Sequence, residues 1–64
     1  MKPGTPVTYR PRYLDFDVSA VVRRQHRDGT VTVEARHVLD EHGKPDSGYL
    51  GYRYRTPRET LKQQ

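Results

Sequence analysis

Residues 18–35 read VSAVVRRQHRDGTVTVEA, and the reading of Asp28-Gly29 at their centre decides the fold. Alternating apolar positions flank the pair on both sides, and Asp-Gly is a strong signal for a tight β-hairpin. A two-residue type I′ loop would pair Arg27 with Thr30, Arg23 with Glu34 and Val22 with Ala35. That register puts Val18, Ala20 and Val22 on the same face as Val31, Val33 and Ala35, and sets a cation opposite an anion on the other face. A three-residue loop would place Val22 against Glu34. Because a one-residue slip exchanges the two faces of a strand, the pattern selects the two-residue loop. It leaves Arg24 on the apolar face near the tip, where a long stem can carry the charge to water.

Upstream, the alternation extends back through Leu14 and Phe16, with Asp15, Asp17 and Ser19 between the apolar positions. A strand running from 14 to 22 and beyond is long for so small a protein, and a bend or loop is expected near Asp15–Asp17. Val7 and Tyr9 alternate with Thr8 and Arg10 in a short first strand that Pro11 ends. Downstream, DEHGKPDSG at 40–48 is loop chemistry. Leu50, Tyr52 and Tyr54 then share one face of a further strand, read as core, with Gly51, Arg53 and Arg55 on the other. Thr56-Pro57-Arg58-Glu59 reads as a helix start: Thr as N-cap, Pro at the first position and Glu three residues after the cap. Leu61 is the one apolar contact of that short helix, and residues 1–5 and 62–64 are expected to be flexible ends.

The expected fold class is all-β: a single domain over 1–64, built as a small antiparallel barrel or a strongly bent sheet of four or five strands, with a short C-terminal helical turn. This layout resembles the SH3-like small β-barrel superfold in architecture, although no family motif accompanies it; Tyr13-Leu14-Asp15-Phe16 is a faint echo of the ALYDY sequence of proline-binding members. The resemblance implies a binding role, because such barrels serve as peptide binders, nucleic-acid binders, ribosomal parts and small phage or bacterial accessory proteins. The fold alone does not choose among these.

Composition narrows the classes. With 64 residues the chain buries only about 60% of its unfolded surface and cannot build a large core. It has no cysteine for disulfides or thiolate zinc sites. The N-terminus lacks the apolar stretch of a signal peptide, and no run approaches a membrane span, so a cytoplasmic protein is expected. Neither serine sits in a nucleophile motif, glycine-rich phosphate loops are absent, and His37 and His42 straddle a strand end and a loop without fixed geometry. The chain is therefore expected not to be an enzyme and to use no cofactor or metal.

The net charge of +4 rests on nine arginines and three lysines. Arginine's planar fork suits phosphate and carboxylate recognition. Residues 1–14 and 47–58 hold no acid, whereas Asp15, Asp17 and the 40–46 segment hold five. A basic surface facing an anionic partner, nucleic acid before others, is the expected function. The candidate site residues are Arg53, Arg55 and Tyr49 on the outward strip, extended by Arg10, Arg12 and Arg58 near strand ends. In that strip Gly51 would leave a gap for close approach, and Tyr9, Tyr13 and Tyr49 are the candidate aromatic platforms. The competing expectation is a protein adaptor or accessory protein, monomeric or weakly dimeric, that pairs through an exposed strand edge.

Overall fold

A computed structural model describes residues 1–63 of the chain. Five antiparallel strands form one sheet: β1 (Pro6–Tyr9), β2 (Val18–Gln25), β3 (Thr30–Val38), β4 (Arg53–Pro57) and β5 (Lys62–Gln63). Their spatial order is β4-β3-β2-β1-β5. The only helix among the described residues is a 3₁₀ turn over Arg58–Thr60. The class is all-β. β4 and β5 are the two edges and do not pair with each other, so the sheet does not close into a hydrogen-bonded barrel. No helix among the described residues is long and apolar enough to cross a membrane.

The central hairpin joins β2 to β3, but its loop differs from the expectation. The His26 amide donates to the Thr30 carbonyl at 2.9 Å, so the loop is the three residues Arg27, Asp28 and Gly29. A type I′ turn would need positive φ at both Asp28 and Gly29. Only Gly29 has it, at +87°, while Asp28 stays on the side of the map that an L-residue prefers. The Asp28 carboxylate instead accepts from the Thr30 amide (3.0 Å) and hydroxyl (2.6 Å).

Two β-bulges then repair the register. Arg24 opposes Thr32, yet Val22 opposes Val33, which leaves Arg23 as an extra residue on β2. Further along, Ala20 opposes Ala35 while Ser19 opposes His37, so Arg36 is extra on β3. A three-residue loop without a bulge would have set Val22 against Glu34. The bulge at Arg23 restores valine to valine, at the cost of one unpaired residue and a stronger local twist. Arg23 still reaches Glu34, at 3.1 Å from Nη2 to Oε2, though Val21 is the residue opposite.

The core consists of Val7, Tyr9, Val18, Ala20, Val22, Val31, Val33, Ala35 and Leu61. The expected even-position strip holds from Val18 onward. It fails at Phe16, which is 49% exposed, because the chain leaves the sheet as a loop before Val18. Tyr52 and Tyr54 are 41% and 43% exposed, so neither is the buried residue expected on that face. Both chain ends are more engaged than expected. Thr5 and Gly4 exchange backbone hydrogen bonds with Val22, and Lys62–Gln63 pair with Thr8 and Val7; Gln64 lies outside the described residues.

The C-terminal turn also departs in detail. Thr56 belongs to β4 and is buried, so its hydroxyl bonds Thr60 Oγ1 at 2.6 Å instead of capping a helix. Pro57, with φ −57° and ψ 141°, takes the cap position without a side-chain hydrogen bond. Leu61 enters the core as expected.

Candidate functional site

β1 and β4 are separated in the sheet by two strands, so in a flat sheet they would lie roughly 14 Å apart at the usual ~4.8 Å spacing. The Tyr9 and Tyr54 rings nevertheless stack, with centroids 5.4 Å apart and planes 16° from parallel. Tyr9 Oη and Tyr52 Oη share a hydrogen bond at 3.2 Å. The bulged sheet therefore curls until its first and fourth strands meet across the concave face. The core supplies no further apolar layer there, so the rings of Tyr52 and Tyr54 remain half open to solvent.

Residues after β1 build the second wall. Tyr13 is 79% exposed and stands beside the Tyr52 hydroxyl, which raises the Tyr13 phenol above its ordinary value. Burial, followed by the hydrogen bond with Tyr52, raises the Tyr9 phenol strongly. Between these walls runs a groove of about 470 Å³, lined by Tyr9, Pro11, Arg12, Tyr13 and Tyr54 among others, with Pro57 and Thr60 also in its lining. Arg10 and Arg12 are its charged lining residues, its basic lip, and no Asp or Glu lines it among the described residues. Arg58 follows Pro57, and its amide donates to the Gly29 carbonyl at 3.1 Å. This bond fastens the 3₁₀ turn to the hairpin loop that carries Arg27, so both arginines occupy the same end of the molecule.

The outward face is organised differently. Glu34, whose side chain is 14% exposed, receives Arg23 (3.1 Å) and Arg53 (Nε to Oε1, 3.7 Å), and the Tyr49 hydroxyl donates to it. The Tyr49 bond, then Arg23, lowers the Glu34 pKa below its usual value. Arg55 reaches Asp28 Oδ2 at 2.8 Å and donates from Nε to Thr30 Oγ1 at 2.8 Å. The Thr30 hydroxyl and amide, with Arg55 behind them, hold the Asp28 carboxyl at about 2. Gly51 has φ +79°, and a Cβ placed there would sit 3.2 Å from the Tyr49 ring. The gap expected at Gly51 is thus occupied by Tyr49 itself.

The six candidate residues divide accordingly. Arg53, Arg55 and Tyr49 hold carboxylates on the outward face, and Arg10 holds Asp17 at 3.0 Å. Arg12 and Arg58 form no ion pair among the described residues. Arg10 and Arg12 meet Tyr13 at the groove, whereas Tyr49 is remote from it and packs its edge on His37 at 6.2 Å. Sequence reasoning missed Tyr52 and Tyr54 as surface. The signal was present: few large apolar residues exist to cover the inner side of β4.

His26 and His37 have local partners, Thr32 Oγ1 at 2.6 Å and the Ser47 carbonyl at 3.1 Å. No cluster of three or more His, Cys, Asp or Glu among the described residues could hold a metal ion. Compared with known proteins, the chain matches no family model, no curated protein and no solved structure.

Proposed function

We propose that this protein is a non-enzymatic binding module that meets an anionic partner, nucleic acid, through arginines at the mouth of the tyrosine-lined groove. The observation that carries the reading is the groove's lining: aromatic rings with Arg10 and Arg12, and no carboxylate among the described residues. A basic groove with aromatic walls suits a phosphate chain. Arg23, Arg53 and Arg55 of the outward face are engaged by Glu34 and Asp28, and Arg10 by Asp17, whereas Arg12 at the groove and Arg58 form no ion pair among the described residues. The strand order, with a 3₁₀ turn between β4 and β5, supports reading the sheet as an SH3-like barrel open at that seam.

Binding measured by anisotropy across a salt series tests the reading. If three phosphates of a single strand are contacted, affinity falls roughly 20-fold between 50 and 200 mM salt. Absence of binding to DNA or RNA at low salt would refute it. A second reading, a protein adaptor, is supported by the edge position of β4, which is open to an added strand.

A further inference from the structure

Resting on the nucleic-acid reading, we infer that the groove selects unpaired bases, with Tyr13 and Tyr54 as its stacking surfaces, and that the partner is single-stranded. Three features lead there. First, the Tyr9 and Tyr54 rings on one wall are held in place before any ligand arrives. Tyr9 is anchored in the core and stacks on Tyr54, while its hydroxyl ties Tyr52, so little side-chain freedom is left for binding to remove. Tyr54 offers the groove the surface that Tyr9 leaves open, and Tyr13 offers most of its ring.

Second, the volume of about 470 Å³ is that of a small-ligand cleft. A paired duplex hides its base faces in the stack and would meet only the lip. Third, charge and rings line the same groove. Arg10, Pro11, Arg12 and Tyr13 are consecutive and all line the groove, so two guanidiniums and an aromatic ring share one short segment, the combination that a phosphate beside a stacked base calls for. Arg12 has no carboxylate partner among the described residues, while Arg10 shares its charge with Asp17. An uncharged proline-rich peptide would fit the aromatic walls but would leave this basic lip without a partner, which is why the anionic strand is favoured.

The chain has five tyrosines and no tryptophan, so stacking on the groove is read directly as tyrosine fluorescence quenching. The full chain is titrated with a short oligothymidylate, a hairpin duplex, heparin as a base-free polyanion, and a proline-rich peptide, using wild type, Tyr13→Ala, Tyr13→Phe and Arg12→Gln. Tyr13 is largely exposed, so its replacement leaves the fold intact. The oligothymidylate is expected to bind more tightly than the duplex. Tyr13→Ala should weaken it roughly 5- to 150-fold, the span that loss of one stacked base produces. Tyr13→Phe should retain binding, heparin should be indifferent to Tyr13, and Arg12→Gln should weaken every polyanion. Equal binding of duplex and oligothymidylate, with Tyr13→Ala silent, would overturn base stacking and leave the anionic reading standing. No binding of any polyanion would overturn both, as would capture of the proline-rich peptide alone.

Discussion

Tyr9 of β1 stacks on Tyr54 of β4 across two intervening strands, at 5.4 Å between ring centroids. That contact measures how far the sheet curls, and it also creates the groove. Stability and binding consequently part company along β4: the backbone of the strand is structural, while the Tyr54 side chain is half available to a ligand.

Replacing Val33, which is fully buried and opposed to both Val22 and Tyr54, removes core contacts with nothing nearby to fill the space. Val33→Ala should cost about 2–3 kcal/mol by urea denaturation. Tyr54→Ala should cost about 2 kcal/mol, roughly half of what a fully buried aromatic costs, and should abolish ring stacking in the groove. If Tyr54→Ala instead costs more than Val33→Ala, the tyrosine belongs to the core after all.

The hairpin loop makes a separate prediction. Gly29 sits at φ +87° with open space around it, so the penalty of Gly29→Ala is conformational and not steric. About 1–2 kcal/mol is expected from the left-handed region. Arg23, the bulged residue of β2, should by contrast tolerate alanine with a smaller loss, because its side chain is 45% exposed and Glu34 keeps Arg53 and the Tyr49 hydroxyl as partners.

Acid should weaken the outward face. Asp28 ionises at about 2 in the fold against an ordinary 3.8, so it favours folding wherever it is ionised in the unfolded chain. That contribution is complete above about pH 4 and is lost as the pH falls through the folded value near 2. Glu34, also lowered, adds to the same acid-side loss. Asp28→Asn should flatten the acid limb of a stability–pH profile; an unchanged limb would show that the Asp28–Thr30–Arg55 cluster is not formed in solution.

Alkali acts on both faces. Tyr9, Tyr13 and Tyr49 all have raised phenol pKa values. The unfolded chain therefore loses these protons first once the pH passes 10, and stability that is complete below that value declines above it. Ultraviolet titration should show some phenols ionising late, Tyr9 only with unfolding. Tyr52→Phe removes the hydroxyl that Tyr9 and Tyr13 meet, and should bring Tyr13 back toward its ordinary value.

Much of this architecture was legible in the alternation of apolar residues, since period two and turn chemistry mark all the longer strands. The loop of the central hairpin was not, because Asp-Gly serves both two- and three-residue loops. Face matching selects the two-residue loop only in a ladder without bulges, and the extra residue Arg23 lets the three-residue loop keep valine opposite valine. The site was half legible. Arg10, Arg12, Tyr9 and Tyr13 were visible as basic and aromatic residues near a strand end, and they do converge. Strand periodicity also told which face Tyr52 and Tyr54 occupy, but not that this face lacks a covering layer, which depends on sheet curl. Nor could it show that Arg53 and Arg55 meet Glu34 and Asp28, residues far away in sequence.

The most direct test of the groove as the binding surface is a chemical-shift map of the folded chain titrated with a short oligothymidylate at low salt. The account predicts saturable perturbation of Tyr9–Tyr13 and of Tyr54–Thr60, with Tyr49, Arg53 and the Glu34 network unmoved. Perturbation centred on Tyr49, Arg53 and Arg55, or none at all, would contradict it.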